Sequence, residues 1–126
     1  FKPELVGNFP YLHKRSGQLL SKMRFVSAQL EAYVSNDVWL RNARNANAMA
    51  KLLSEGLAKS PDIKLAYPTQ SNEVFVHLPS SIIGLLNAEG YNVSEDELDG
   101  KSVRFVTAWN TVSDDIEKLL STISNK

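Results

Sequence analysis

The sequence predicts an α+β fold, with two long N-terminal helices followed by a small mixed or antiparallel sheet of about four strands covered by helices. Two observations favour this class. Apolar residues recur every three, four or seven positions over residues 11–59, which is the spacing of helix faces. After a turn at residues 60–62, the pattern changes to short β-branched and aromatic runs, with one apolar helical segment among them and another at the end.

The first long helix is predicted over residues 11–35. Its apolar stripe has a second apolar face beside it, and a helix with two such faces usually lies between two bodies. The stripe is Leu12, Leu19, Met23, Val26, Leu30 and Tyr33, and the second face is Leu20, Phe25 and Ala28. Residues 35–37 then supply a helix stop and a new N-cap, so a second helix is predicted from about Asp37 to Lys59.

Strands are predicted at residues 63–67, 73–78, 91–93 and 102–109, each a short extended run. A helix capped by Ser80 or Ser81 and ending at Gly90 separates the second strand from the third. Asp99 and Gly100 form a hairpin signal, and a last helix follows Thr111. The 126 residues therefore read as one domain, with the helix 11–35 leading into a small domain over residues 37–126.

Composition narrows the function classes. The chain carries 14 Lys and Arg against 14 Asp and Glu, so it offers no basic footprint for a nucleic acid or an anionic membrane. It has no cysteine, and no apolar run approaches the ~18 residues of a membrane span, so a cytoplasmic protein is expected. Because the sequence opens on Phe1, we also expect the natural chain to start earlier.

Arg104 is the charged residue of the last predicted strand. Apolar residues stand on both sides of it in the run Ser-Val-Arg-Phe-Val-Thr-Ala-Trp, so we expect its guanidinium to lie in a partly desolvated site. A guanidinium there needs a carboxylate or a phosphate as its partner. From the residues alone, an internal Asp or Glu is favoured over a ligand.

Catalytic arrangements are otherwise absent from the sequence. No glycine-rich phosphate loop occurs, and His13 and His77 have no serine or acidic companion at a known spacing and form no metal set. The acids Glu95, Asp96, Glu97 and Asp99 are typical of a solvated turn. Either the chain is a binding module, or the reactive groups lie elsewhere.

Several segments resemble a known family. Residues 14–29, Lys-Arg-Ser-Gly-Gln-Leu-Leu-Ser-Lys-Met-Arg-Phe-Val-Ser-Ala-Gln, are similar to the long helix after the cofactor lysine in low-specificity L-threonine aldolases of the beta-eliminating lyase group. The resemblance continues through residues 38–43, 47–50, 71–76 and 103–107, and so covers essentially the whole chain.

The resemblance implies the C-terminal part of a fold type I enzyme that uses pyridoxal 5'-phosphate. The lysine that holds this cofactor would precede Phe1, so we expect the chain alone to be inactive and not to bind the cofactor covalently. The resemblance also implies that Arg104 binds the carboxylate of the substrate. Arg24 and Lys22 match only a general feature of the family, which places basic residues of this helix near the cofactor phosphate or the active-site mouth.

The function implied is retro-aldol cleavage of L-threonine or L-allo-threonine to glycine and acetaldehyde by the intact protein. Its expected partners are an amino-acid substrate, the missing N-terminal cofactor domain, and further copies of itself in a dimer or tetramer. Two other interpretations stay open. One is a non-catalytic carboxylate-binding or adaptor module, and the other is another fold type I enzyme, an aminotransferase or a beta-eliminase.

Overall fold

A computed structural model describes residues 2–95 and 100–124, and it divides the chain into two compact units, residues 1–38 and 39–126. Two short 3-10 turns, Pro3–Leu5 and Ser35–Asp37, accompany the regular elements. The helices are α1 Phe9–Arg15, α2 Arg24–Val34, α3 Val38–Leu57, α4 Ser80–Ala88 and α5 Ser113–Ser124, and the strands are β1 Lys64–Leu65, β2 Glu73–His77 and β3 Val103–Val106.

The first unit corrects the prediction of one continuous helix over residues 11–35. Helix α1 ends at Arg15, where Gly17 adopts a left-handed conformation with φ +72°. The Gln18 N–H donates to the His13 carbonyl and the Gly17 N–H to the Lys14 carbonyl, which is the hydrogen-bond pattern of a Schellman closure. Glycine pays no Cβ penalty in this conformation, so the chain leaves the helix here and resumes it at Arg24.

Most large apolar side chains of the first unit lie at the surface. From Val6 to Val34, every large apolar side chain in this part of the structure is exposed, from 42% at Met23 to 77% at Tyr11. The described residues from Val6 to Val34 therefore form no hydrophobic core of their own.

The second unit contains a three-stranded antiparallel sheet in the order β1-β2-β3. This confirms the α+β class and the strands of residues 63–67, 73–78 and 102–109, although each is shorter than predicted. Side chains alternate across a sheet, so Val74, Val76 and Val103 lie together on one face, fully buried.

The strand predicted at residues 91–93 is wrong. Val93 is buried, but the Asn87 side chain accepts from its backbone N–H at 2.8 Å and donates to its carbonyl at 2.9 Å. These two bonds replace the ladder bonds that a strand would make. Beyond them, Glu95 forms a single antiparallel bridge with Val103, and Asp99 of the predicted hairpin lies outside the described residues.

Helices α3, α4 and α5 supply the rest of the core. The predicted second and last helices are confirmed, and their apolar stripes pack on the buried face of the sheet. The core comprises Ala50, Leu53, Leu57, Ile63, Val74, Val76, Ile82, Leu86, Val93, Val103, Ile116, Leu119 and Ile123. Each fully buried leucine among them contributes about 1.5–3 kcal/mol from its apolar burial. Within residues 2–95 and 100–124, no helix is both long and apolar enough to cross a bilayer.

Candidate functional site

The face of the sheet opposite the core carries the candidate site. Strand alternation puts Glu73, Phe75 and His77 of β2 on this face, together with Arg104 and Val106 of β3. Lys64 of β1 stands opposite His77 on the same face. We call this set of six residues the outer face. It combines a cation, an acid and an aromatic ring within two adjacent strands.

Arg104 is exposed, which corrects the expectation of a partly desolvated site. Its neighbours Val103 and Phe105 point toward the core, and the pleat therefore directs Arg104 to the outer face. The sequence indicated apolar groups on both sides of the strand. Val106 and Trp109 are exposed, however, so they do not enclose the Arg104 side chain.

Glu73 forms an ion pair with this guanidinium. Its Oε1 lies 3.4 Å from Arg104 Nη1, and the two side chains are 37% and 47% exposed. The residues are diagonal neighbours, since Glu73 stands opposite Val106 while Arg104 stands opposite Phe75. The contact is long for a charge-assisted hydrogen bond, which typically measures about 2.7–2.9 Å. The pair is therefore weak, although it is the internal ion pair that the residues alone favoured.

An aromatic pair borders Arg104 on the neighbouring strand. The rings of Phe75 and Tyr67 meet edge to face, with centroids 5.6 Å apart and an interplanar angle of 83°. Phe75 is the direct cross-strand neighbour of Arg104. An aromatic ring and a guanidinium thus lie side by side on the outer face.

The chain after β3 is held firmly to the rest of the second unit. Thr107 is buried, and its hydroxyl donates to the Ala46 carbonyl at 2.7 Å. Its backbone N–H donates to the Asn72 carbonyl, and the Asn72 side chain donates to the Thr107 carbonyl, each at 2.9 Å. The end of the Arg104 strand is thus fixed against both α3 and the loop before β2.

The following turn presents Trp109 to solvent. Asn45 of α3 donates through Nδ2 to the carbonyls of Trp109 and Thr111, both at 3.0 Å, while the Trp109 side chain stays 65% exposed. Sequence reasoning missed Asn45 and Asn72. Both bond to backbone carbonyls far away in the chain, so no residue pattern could have revealed them.

Lys22 and Arg24 lie in the first unit, at the start of α2. Lys22 has φ +57° in the turn before the helix, and Arg24 is the first helical residue. The Arg24 guanidinium sits 5.0 Å from the centroid of the Phe25 ring, and both basic side chains are exposed. Two positively charged side chains at the N-terminus of a helix can bind an anion.

The two histidines make local contacts. His13 stacks on Phe9 with ring centroids 5.6 Å apart, and its Nε2 lies 3.1 Å from the Gln18 carbonyl oxygen. Nδ1 of His77 lies 3.4 Å from the Lys101 carbonyl oxygen. Among the residues placed by the structure, no three His, Cys, Asp or Glu side chains group as a metal site.

The class of protein follows from comparison with solved structures. The fold matches that of the threonine aldolase of Leishmania major with a TM-score of 0.75 and 26% sequence identity. The match covers 94% of this chain and 35% of that one. The chain thus has the fold of part of a threonine aldolase, a fold type I enzyme of the pyridoxal phosphate group.

Sequence relatives identify the family. The chain is 38% identical over 119 residues to the low specificity L-threonine aldolase of Pseudomonas aeruginosa, spanning 94% of itself and 33% of that relative. It is 33% identical over 123 residues to the enzyme of the same name from another Pseudomonas strain, spanning 98% of itself and 35% of the relative. No family model matches it. The chain belongs to the threonine aldolase family and spans about a third of the length of these relatives, which confirms the resemblance.

The residues of this chain fit pyridoxal phosphate only in part. Lys22 and Arg24 have the donor chemistry for its phosphate. A lysine that forms a Schiff base is activated by desolvation or by an adjacent cation. Every lysine in the described ranges is exposed, namely Lys2, Lys14, Lys22, Lys51, Lys59, Lys64, Lys101 and Lys118. These lysines do not suit covalent attachment of the cofactor, whereas the cations at α2 suit an ionic contact.

Proposed function

We propose that the protein is a pyridoxal phosphate-dependent lyase that cleaves L-threonine and L-allo-threonine to glycine and acetaldehyde. In this proposal the chain supplies Arg104, which binds the carboxylate of the substrate. Two observations support it. The 38% identity to a low specificity L-threonine aldolase runs through 94% of the chain, and Arg104 lies on an open face of its sheet.

Arg104 would act by orienting the substrate. A guanidinium takes a carboxylate through two parallel hydrogen bonds, which fix both the position and the rotation of the bound group. When bound, pyridoxal phosphate supplies an electron sink for the carbanion left by the broken carbon–carbon bond. Binding the carboxylate at Arg104 would orient the substrate for cleavage of that bond.

Lys22 and Arg24 form a further part of the proposal. Their charges, at the positive end of α2, would contact the cofactor phosphate or line the mouth of the active site. Their exposure supports this role, because neither cation is held in a buried ion pair.

The partners of the chain are also proposals. The relatives are about three times as long as this chain, and the exposed apolar residues between Val6 and Val34 require a cover. We infer that a cofactor-binding N-terminal domain provides it, and that copies of the protein assemble into a dimer or tetramer. A cytoplasmic location belongs to the same proposal.

Replacing Arg104 in the intact enzyme tests the central claim. Arg104→Lys keeps the charge but loses the two-pronged grip, so KM for threonine is expected to rise about ten- to hundredfold. Cofactor absorbance should not change. The matched control is Arg44→Lys, the same exchange at an exposed position of α3, which should leave KM as it was.

Product analysis in the same assay separates the reaction classes. Acetaldehyde and glycine are expected from threonine, whereas a keto acid would indicate transamination. An unchanged KM in Arg104→Lys would remove this residue from the substrate site.

A further inference from the structure

Glu73 is the acidic residue of the outer face that touches Arg104. Its carboxylate meets the guanidinium through one oxygen, Oε1, at one nitrogen, Nη1. A substrate carboxylate bound at Arg104 presents the same chemical group to the same fork of donors. The two acids would therefore compete for one cation.

The sheet does not depend on this contact. Strands β2 and β3 are joined by backbone pairing at four positions, from Glu73 opposite Val106 to Val76 opposite Val103. A half-exposed ion pair at 3.4 Å adds little to such a ladder. Glu73 can thus release Arg104 without loosening the strands.

Other charges of the outer face lie at its far end. Lys64 stands opposite His77, four residues along β2 from Glu73. Within the outer face, the Glu73 carboxylate is the acid next to the Arg104 guanidinium. An arriving carboxylate is attracted by the guanidinium and repelled by the neighbouring acid.

We propose that Glu73 sets the substrate affinity of the site. Its carboxylate holds the Arg104 guanidinium on the outer face before substrate arrives, and the substrate carboxylate displaces it. This inference rests on the proposed role of Arg104. Glu73 acts through Arg104 and not on the reacting atoms, so its effect falls on binding and not on the chemical step.

Glu73→Gln in the intact enzyme is the test. The amide keeps the shape and a hydrogen-bond acceptor but loses the competing charge, so KM for threonine should fall about two- to fivefold, the range typical of a half-exposed ion pair. The kcat value should stay within about twofold. Calorimetric titration with glycine should show Kd falling by the same factor as KM. Glu73→Ser, which removes the carboxylate altogether, should also lower KM and Kd.

The control is Glu55→Gln, which makes the same charge change on α3 at a residue paired with Lys51. KM and Kd should not change there. The double variant Glu73→Gln with Arg104→Lys should lose most of the gain, because the competition requires the guanidinium fork.

Two outcomes distinguish the proposed competition by Glu73 from the proposed substrate role of Arg104. If Arg104→Lys raises KM but Glu73→Gln leaves KM unchanged or raises it, Glu73 does not compete and this inference is overturned. If Arg104→Lys itself leaves KM unchanged, the proposed function of Arg104 fails, and the inference fails with it.

Discussion

The Thr107 hydroxyl donates to the Ala46 carbonyl across 2.7 Å, joining residues 61 positions apart in the chain. The bond lies at the point where the Arg104 strand ends, and Ala46 belongs to the long helix α3. It ties the strand that carries the candidate site to the main helix of the core. The first prediction concerns this bond.

Thr107→Val should destabilise the protein by about 1–2 kcal/mol, because the exchange keeps the size of the side chain and removes a buried donor. Urea unfolding followed by far-ultraviolet circular dichroism measures the change. Thr122→Val is the control. That hydroxyl bonds within α5 in an exposed setting, and its loss should cost less than about 0.5 kcal/mol. Equal effects at both positions would contradict the role given to Thr107.

Two helical glycines should respond differently to alanine. At Gly84 in α4, an added Cβ would have no atom within 4 Å, so Gly84→Ala should stabilise by about 0.5–1 kcal/mol through helix propensity. At Gly56 in α3, the Cβ would collide with Leu120 Cδ1 and approach Cδ2 to 2.8 Å, so Leu120 must move. The Gly56→Ala protein should therefore be less stable than the Gly84→Ala protein by at least about 1 kcal/mol. Urea midpoints that coincide would show that Leu120 yields without cost.

The 126-residue chain on its own should neither keep pyridoxal phosphate nor cleave threonine, because its described lysines are exposed and unsuited to a Schiff base. The purified chain, incubated with excess cofactor and then dialysed, should show no cofactor absorbance in the visible range. The intact enzyme treated in parallel should retain it. Retained absorbance together with acetaldehyde production by the chain would overturn this prediction.

Sequence periodicity predicted the helices of the second unit correctly, but it did not predict the break in the helix of the first unit. Leu53, Leu57, Ile116 and Leu119 recur at helix spacing and are buried as that spacing predicts. In the first unit the apolar spacing continues from Leu12 through Leu19 to Met23, although the helix does not. The interruption depends on the left-handed conformation of Gly17, and apolar periodicity does not reveal it.

The strand that carries the candidate site was predicted, but the exposure of its arginine was not. The strand and its arginine were found from composition, and the resemblance gave Arg104 a role that remains a prediction. Arg104 was expected in a partly desolvated site because Val103, Phe105 and Val106 are all apolar, and this run does not reveal which face of the sheet the core covers. Asn45 fixes the turn at Trp109 through two backbone carbonyls, and bonds to such distant backbone groups leave no pattern in the sequence.

The two tryptophans give the chain a built-in optical reporter. Trp109 is 65% exposed on its fixed turn, and Trp39, near the start of α3, is 44% exposed. Indole emission moves to shorter wavelength when water is excluded. Because both tryptophans are exposed, the intrinsic fluorescence of this chain responds to a partner that binds at its surface more than to changes in its core. Association with the proposed N-terminal domain can then be followed without attaching a dye.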